Sequence, residues 1–204
     1  MNTSTRGVTR TIWVATRTMA LFTVVLGVLY TLLITGVGQL LLPAQAGGST
    51  ITTADGIRVG SSLIGQSFTD EGGNPLPNYF QSRPSAAGTG YDGGASSGSN
   101  YGPENEHLVT AIAERKAQVA AFNGVSEADV PADAVTASSS GLDPHISPAY
   151  AKIQVERVAS ARGLRADDVR RILDAHIEGP NLGYLGDSTV NVLELNVALD
   201  ELEG

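Results

Sequence analysis

One apolar segment limits what this chain can fold into. Residues 19–42, MALFTVVLGVLYTLLITGVGQLLL, contain no charged side chain, and no charge occurs between Arg17 and Asp55. A helix of this length rises about 36 Å at about 1.5 Å per residue, which exceeds a hydrocarbon core of about 30 Å. Because backbone groups in lipid must be satisfied internally, we predict one transmembrane helix over residues 19–42.

The basic residues are distributed unevenly about this segment. Three arginines precede it, and no further basic residue occurs before Arg58. The positive-inside rule then predicts that residues 1–18 are cytoplasmic and that residues 43–204 are extracytoplasmic. We therefore expect a single-pass protein of the cell membrane.

A cleaved signal peptide is the alternative interpretation of the same segment. Ala44-Gln45-Ala46 has the A-x-A form of a cleavage site. The apolar region of a signal peptide is usually about 7–15 residues long, which is much shorter than residues 19–42. We therefore favour a membrane anchor.

The composition excludes several classes of function. The absence of cysteine rules out disulfides, cysteine nucleophiles and thiolate metal sites. After residue 42 the chain carries ten basic and 21 acidic side chains, a net charge of −11, so no nucleic-acid partner is expected. The sequence contains neither a P-loop nor histidines with metal-ligand spacing, and we expect no metal site.

The part after the span is expected to be one extracytoplasmic α+β domain with short strands. Residues 43–80 alternate short apolar pieces with glycines, which is typical of short strands and turns. Helix start and stop signals predict four helices, the first two bounded by Gly124 and by Ser147-Pro148. The predicted helices cover about residues 104–122, 147–161, 166–177 and 191–202, and a short strand is predicted over residues 134–137.

A Gly/Ser-rich segment interrupts this pattern. Half of residues 82–103 are Gly or Ser, a composition that is common in flexible linkers. Aromatic residues such as Tyr91 and Tyr101 occur within it, and a pure linker has no need of them. An ordered surface loop and a linker both stay open, and we describe the segment as a surface loop.

Two stretches contain the residue types of serine hydrolases. Residues 94–98 match G-x-S-x-G, but that mechanism requires a strand before the serine and a helix after it, whereas the flanks here are rich in Gly and Ser. Residues 138–145, SSSGLDPH, combine hydroxyls, a carboxylate and an imidazole, although turn formation explains the same composition. A membrane-anchored serine hydrolase that uses residues 138–140 with Asp143 and His145 stays an alternative.

Several stretches along the chain resemble a single family. They are SRPS at 82–85, ASSGSN at 95–100, VTASSSGLD at 135–143, ISPA at 146–149, RVA at 157–159 and VNVLELNVALD at 190–200. Together with a cationic N-terminus and one span, they resemble the C subunit of the Kdp high-affinity potassium-transporting ATPase. The resemblance covers nearly the whole chain in one order.

The resemblance implies a non-catalytic accessory subunit of a pump that uses ATP to import potassium. It implies three partners, namely a channel-like potassium-translocating subunit, a P-type ATPase subunit and a very small single-span subunit. The phosphorylation sequence of P-type ATPases, Asp-Lys-Thr-Gly, is absent from this chain. The phosphorylated aspartate therefore belongs to a partner, and we expect no catalytic residue here.

The same resemblance implies a catalytic chaperone that raises the ATP affinity of the ATPase subunit. It implies a nucleotide contact at Ser138, Ser139, Ser140 and Gly141, with ATP held through the ATPase subunit and no cofactor bound by this chain alone. The predicted orientation favours a different role, because an acidic outer domain is suited to cap a cation entrance and to brace the assembly.

Four residues are candidates for contacts with partners. Gly27, Gly36 and Gly38 lie in the span, where small residues permit close approach of another helix. Arg83 precedes a proline in the Gly/Ser-rich segment and offers a rigid fork for a carbonyl or a carboxylate. An exported binding module without pump partners is the remaining alternative.

Overall fold

The computed structural model describes residues 5–202, and the chain divides into two units, Met1–Ser49 and Thr50–Gly204. Residues 1–4 and 203–204, the ends of the predicted cytoplasmic and outer segments, lie outside the described residues.

The first unit is dominated by one long apolar helix. Its parts are α1 (Thr5–Phe22), a π-helical turn (Thr23–Leu29) and α2 (Tyr30–Leu41). The most apolar 18-residue stretch of residues 7–41 has a mean hydropathy of 2.3 and is not buried inside the chain, so this helix is long and apolar enough to cross a membrane. It begins earlier than the predicted span, because no Pro or strong breaker interrupts residues 5–18. A short helix, α3 (Pro43–Ala46), follows.

The helices of the second unit begin and end where their capping residues stand. Its helices are α4 (Glu106–Asn123), α5 (Pro148–Arg162), α6 (Ala166–Ala175) and α7 (Val192–Asp200). The Ser147 hydroxyl accepts from the Tyr150 N–H at the start of α5, as the Ser-Pro pair predicts. The Asn191 side chain accepts from the Glu194 N–H at the start of α7. Gly163 ends α5 in the left-handed conformation.

Short antiparallel strands complete the domain. The strands β1 (Thr50–Thr52) and β2 (Arg58–Ser61) form a hairpin with a register shift between Ile51 and Thr52. The strands β3 (His145–Ile146), β4 (Ile177–Glu178) and β5 (Thr189–Asn191) form a sheet in the order β3-β5-β4. Val190 pairs with Ile146 on one side and with Ile177 on the other. One apolar N-terminal helix followed by a mixed helix–strand domain confirms the predicted α+β class.

The core of the second unit is built mainly by α5, α6 and α7 around the three-stranded sheet. Its fully buried members include one large ring from the segment before the Gly/Ser-rich loop, Phe80. The other large apolar side chains with almost no exposed surface are Val155, Val158, Val169, Leu173, Val190, Val192, Leu195 and Leu199. The packing of these residues fixes the positions of α5 and α7, whose side chains contact the segment before the Gly/Ser-rich loop.

Two local predictions are wrong. Residues 134–137 form no strand, because the chain turns through a 3-10 helix (Ala132–Ala134) and the Thr136 hydroxyl donates back to the Ala132 carbonyl at 2.8 Å. The predicted helix over residues 166–177 ends at Ala175, since Ile177–Glu178 pairs with β5 instead. At residues 134–137 a local hydrogen bond of the Thr136 hydroxyl overrides the strand pattern. At residue 177 pairing with β5 ends the helix pattern.

Candidate functional site

The Gly/Ser-rich loop, residues 82–103, packs against residues 136–145, which lead into β3. We call this contact the loop junction. Its side-chain hydrogen bonds join residues 44 to 60 positions apart in sequence. The stretches 82–85, 95–100 and 135–143, which carry much of the family resemblance, contribute to it. The loop therefore belongs to the folded domain, which favours an ordered surface loop over a free linker.

Three serines of the loop hold the turn at residues 138–141. The Ser85 hydroxyl donates to the Gly141 carbonyl at 2.6 Å. The Ser140 carbonyl accepts from the Ser96 hydroxyl at 2.9 Å and from the Ser97 N–H at 3.0 Å. Both carbonyls at the end of the turn are thus used inside the chain.

Gly141 is placed so that no larger residue fits. Its φ is +67°, the left-handed region that L side chains rarely adopt. A Cβ atom there would lie 2.6 Å from the Ser97 carbonyl oxygen and 2.7 Å from the Ala87 nitrogen. The two loops therefore approach each other directly over this glycine.

Arg83 joins the two sides of the loop junction with its guanidinium fork. Its Nη1 donates to Asp143 Oδ2 at 2.9 Å, and its Nε donates to the Thr136 carbonyl at 3.2 Å. The Tyr91 hydroxyl donates to the Arg83 carbonyl at 2.9 Å. The fork predicted for a partner carbonyl or carboxylate is filled from within the chain, and contact of Arg83 with a partner stays a prediction.

We call residues 138–141 the serine turn. Its three serine hydroxyls differ in whether they form hydrogen bonds inside the chain. Ser138 Oγ accepts from the Gly141 N–H at 2.9 Å, and Ser140 Oγ accepts from the Leu142 N–H at 3.1 Å. Ser139 is exposed, and within residues 5–202 its hydroxyl makes no hydrogen bond. Of the three predicted nucleotide-contacting hydroxyls, only that of Ser139 is free of bonds inside the described chain.

Asp143 and His145 lie side by side next to this turn. Asp143 Oδ1 accepts from the His145 N–H at 3.0 Å and lies 3.6 Å from its ring Nδ1. Burial alone raises the pKa of Asp143, but the hydrogen bonds from His145 and the Arg83 cation together bring it below its usual range. The Asp143 carboxylate, with smaller contributions from Glu178 and Glu194, raises the pKa of His145 against the opposing effect of burial.

The geometry does not form a serine hydrolase site. Within the described residues, no hydroxyl of residues 138–140 hydrogen-bonds the His145 ring. The Asp143 carboxylate lies beside the imidazole with one oxygen and is bound to Arg83 with the other. Residues 94–98 lie in irregular backbone with neither a strand before them nor a helix after them. A nucleophilic serine needs a base within hydrogen-bond reach, and this arrangement supplies none.

Two buried amides position the chain as it enters the Gly/Ser-rich loop. Asn196 of α7 accepts from the Phe80 N–H at 2.8 Å and donates to the Phe80 carbonyl at 3.0 Å. Gln154 of α5 does the same for Gln81, with distances of 2.7 Å and 3.2 Å. We call these contacts the amide clamps. They satisfy buried backbone groups in the way a neighbouring strand would.

Sequence reasoning missed the amide clamps. Asn196 and Gln154 are almost fully buried among apolar helix residues, next to Leu195 and Val155 respectively. A polar residue on the apolar face of a predicted helix is the signal that could have identified them, because a buried amide requires partners.

The three glycines of the long helix are not required by packing inside the chain. A Cβ atom at Gly27 or Gly36 would meet nothing within 4 Å, and at Gly38 it would make ordinary contact with the Ala46 Cβ at 3.7 Å. Gly27 also lies within the π-helical turn, Thr23–Leu29. Their predicted role in partner contacts stays a prediction.

Comparison with known proteins gives one consistent family. The family described as "K+-transporting ATPase, c chain" (KdpC) matches residues 12–201. The chain is 54% identical over 183 residues to the potassium-transporting ATPase KdpC subunit of Caulobacter vibrioides, covering 89% of this chain and 88% of the relative. It is 52% identical over 174 residues to that of Kineococcus radiotolerans, covering 85% of each. It is 48% identical over 185 residues to that of Mycobacterium tuberculosis, covering 90% and 94%.

Proposed function

The chain belongs to the KdpC family of K+-transporting ATPase c chains, and from this premise we propose that it assembles and braces a potassium pump from the outer face of the membrane. As a member of that family it is an accessory subunit of a multi-subunit pump. The proposed partners are a channel-like potassium-translocating subunit, a P-type ATPase subunit and a small single-span subunit.

This proposal rests on one observation, namely that the polar groups of the loop junction form their hydrogen bonds with each other inside the chain. The carbonyls of Ser140 and Gly141, two serine hydroxyls and the Arg83 fork are all engaged inside the chain. Groups held in this way fix the shape of a surface, whereas a catalytic site keeps a reactive group free and poised beside a base. A rigid irregular surface is what a scaffolding subunit needs.

The proposed orientation rests on the charges that flank the long helix. Arg10 and Arg17 lie in its first part, and no basic residue follows until Arg58. The positive-inside rule favours a cytoplasmic N-terminus and an outer location for the second unit. We therefore propose a single-pass subunit of the cell membrane with its α+β domain outside.

We propose that any effect on ATP affinity is transmitted through the assembled pump. ATP is cytoplasmic, and an outer domain cannot reach it directly. Residues 43–204 also carry a net charge of −11, which disfavours binding of a phosphate chain. The subunit acts as a catalytic chaperone in this view by stabilising the conformation of the ATPase subunit that binds ATP more tightly, and it needs no cofactor of its own.

The acidic surface supports a second contribution, the attraction of cations to the entrance of the translocating subunit. A strongly negative surface raises the local concentration of potassium, and salt screens this effect. Neutralising exposed carboxylates such as Glu71 and Glu104 is expected to weaken apparent potassium affinity in uptake assays at low ionic strength. Unchanged affinity at every salt concentration would remove the steering role and leave the bracing role.

The orientation can be tested with single cysteines, because the chain has none of its own. Glu71→Cys and Ser139→Cys place thiols at exposed positions of the second unit, and Thr11→Cys places one in the N-terminal part of the long helix. We expect an impermeant maleimide to label the first two in intact cells and Thr11→Cys only after permeabilisation. The reverse pattern would overturn the proposed orientation.

Direct nucleotide contact can be tested on the purified pump. Ser139→Ala removes the free hydroxyl of the serine turn, and Ser99→Ala, in the exposed part of the Gly/Ser-rich loop, is the matched control. We expect both variants to leave the KM for ATP unchanged and a photoreactive ATP to label only the ATPase subunit. A raised KM in Ser139→Ala alone, or label in this chain, would establish a direct contact and contradict the proposal.

A further inference from the structure

The loop between β4 and β5 presents large apolar side chains to solvent. Leu182 is 81% exposed, Tyr184 73% and Leu185 50%. We call residues 180–186 the apolar loop. Single exposed apolar residues are ordinary, but three within four positions of one turn bring exposed apolar surface together, as interaction sites do. Tyr is also enriched among the residues that dominate binding energy at protein interfaces.

The apolar loop is held rigid by its own backbone. Asn181 and Leu185 exchange two hydrogen bonds, each of 2.9 Å, and the Gly183 N–H donates to the Pro180 carbonyl at 2.9 Å. A loop that is fixed before binding loses little conformational entropy when a partner covers it. The exposed side chains are thus presented in a preformed arrangement.

Leu182 adopts an unfavourable backbone conformation in this arrangement. Its φ is +55°, in the left-handed region that a bulky L residue rarely occupies. The conformation directs an 81% exposed side chain outward, and Leu182 is absent from the buried core of this chain. Strained conformations of this kind cluster at ligand-contacting sites, because strain without a use is costly.

The charges around the apolar loop indicate what covers it. Glu178 and Asp187 flank it and are exposed, and within the described residues neither forms an ion pair. No Lys or Arg occurs after Arg171. Loops that insert into anionic bilayers rely on Lys and Arg beside their apolar side chains, so this charge pattern disfavours a lipid surface. It suits an apolar protein cleft with a cationic rim.

We propose that the apolar loop inserts into an apolar cleft with a basic rim on a partner subunit of the pump. Leu182 and Tyr184 occupy the cleft, and Glu178 and Asp187 face the cations at its edge. This inference rests on the proposed assembly role and names the surface that performs it.

The first test measures pump assembly. A tagged full-length chain is co-expressed with the other pump subunits, and the complex is purified in mild detergent. Leu182→Asn with Tyr184→Ser is expected to lower recovery of the partners about tenfold after dilution, as loss of an interface hot spot does. Asn tolerates the left-handed conformation at position 182, so the variant chain is expected to unfold at the wild-type temperature.

Val109→Asn is the matched control, since Val109 is 54% exposed on α4. It is expected to leave partner recovery unchanged. Equal recovery of partners with the loop variant and the wild type would overturn the inference. Failure of the wild-type chain itself to recover any ATPase subunit would instead contradict the proposed function.

The second test distinguishes a protein cleft from lipid and from a second copy of this chain. Tyr184→Cys, the sole cysteine, carries an environment-sensitive fluorophore in proteoliposomes. We expect a blue shift of its emission only when the partner subunits are present. A blue shift with this chain alone at low density would indicate the bilayer, and one that grows with its density alone would indicate self-association. Either result, or no shift in the complex, would overturn the inference.

Discussion

The Nη1 atom of Arg83 lies 2.9 Å from Oδ2 of Asp143, 60 positions further along the chain. Both side chains are largely shielded, with 19% and 28% of their surface exposed. A partly buried pair with this geometry links the entrance of the Gly/Ser-rich loop to the segment that becomes β3. The stability of the loop junction is therefore expected to depend on the pair itself.

A double-mutant cycle measures that dependence. Arg83→Met keeps the apolar stem, and Asp143→Asn keeps an acceptor for the His145 N–H. We expect a coupling of about 1–2 kcal/mol in the free energy of unfolding, because the residues share one network. The exposed Arg165–Asp167 pair, at 3.9 Å, is the control and is expected to show less than about 0.5 kcal/mol. Similar coupling in the two cycles would contradict the interpretation.

Gly141→Ala tests the close approach of the two loops. The substitution adds a Cβ that meets backbone at 2.6 Å and 2.7 Å, and we expect a loss of about 3 kcal/mol or more in unfolding free energy. Gly163 has the same φ of +67°, but a Cβ there meets nothing within 4 Å. Gly163→Ala is therefore expected to cost only about 1 kcal/mol, the backbone strain alone. Equal losses would show that the approach over Gly141 is unimportant.

Asn196→Leu tests one amide clamp. It leaves the buried N–H and carbonyl of Phe80 without partners. We expect the free energy of unfolding, measured with urea in detergent, to fall by about 2–4 kcal/mol.

Asn196→Asp is also expected to destabilise the chain near pH 7, because it buries a charge and loses the donor. Acidification protonates the introduced carboxyl, which then donates to the Phe80 carbonyl as the amide does. The loss relative to wild type should therefore shrink at low pH for the Asp variant and stay constant for the Leu variant.

The Asp143–His145 pair predicts a pH dependence of stability. The folded pKa of His145 is raised, so its contribution is complete below about 6.5 and is lost as the pH rises through the folded value. The folded pKa of Asp143 is lowered, so its contribution is present above about 4 and is lost on acidification. Between these limits both contributions are present.

His145→Gln checks the upper limb of this dependence. The fall in unfolding free energy between pH 5.5 and pH 8.5, an interval of about 3 units around the ordinary histidine value, should be smaller in the variant than in wild type. His107→Gln, on α4, controls for the loss of an imidazole. An unchanged fall in His145→Gln would show that the pair contributes nothing to stability.

Substitution of the glycines of the long helix is predicted to impair assembly with partner subunits and to leave the fold of this chain unchanged. In Gly27→Leu and Gly36→Leu the added Cβ atom has nothing of the chain within 4 Å. If these positions contact a partner helix, we expect recovery of the partner subunits to fall about tenfold, since a large side chain separates the backbones. Leu32→Ile, at a 64% exposed position of the same helix, is the control. Full recovery with both glycine variants would remove them from the contact face.

Local signals in the sequence are sufficient to predict much of the fold. Ser147-Pro148 and Asn191 fix the starts of α5 and α7 through bonds to residues three positions away, and Gly163 ends α5. The uncharged stretch at residues 19–42 is enough to predict the long apolar helix, although that helix begins earlier, at Thr5. Such features depend only on residues that are close in sequence. They can therefore be predicted from short stretches of the chain.

The loop junction could not be predicted in the same way. Family resemblance and side-chain chemistry single out residues 82–85 and 138–143, but nothing in their local pattern indicates that Arg83 reaches Asp143. The strand predicted at residues 134–137 failed because β-propensity there had no partner strand, while a local hydroxyl bond from Thr136 was available. Contacts between distant loops depend on where the helices carry them.

The long sequence separation within the loop junction also leads to an expectation about the order of folding. Each of its side-chain bonds closes a segment of 44 to 60 residues, which costs chain entropy before any stabilisation is gained. The amide clamps that guide the loop come from α5 and α7, which both follow the loop in sequence. Residues 82–103 are therefore expected to become ordered last, so a newly synthesised subunit passes through a late stage in which this segment is open to proteases and chaperones.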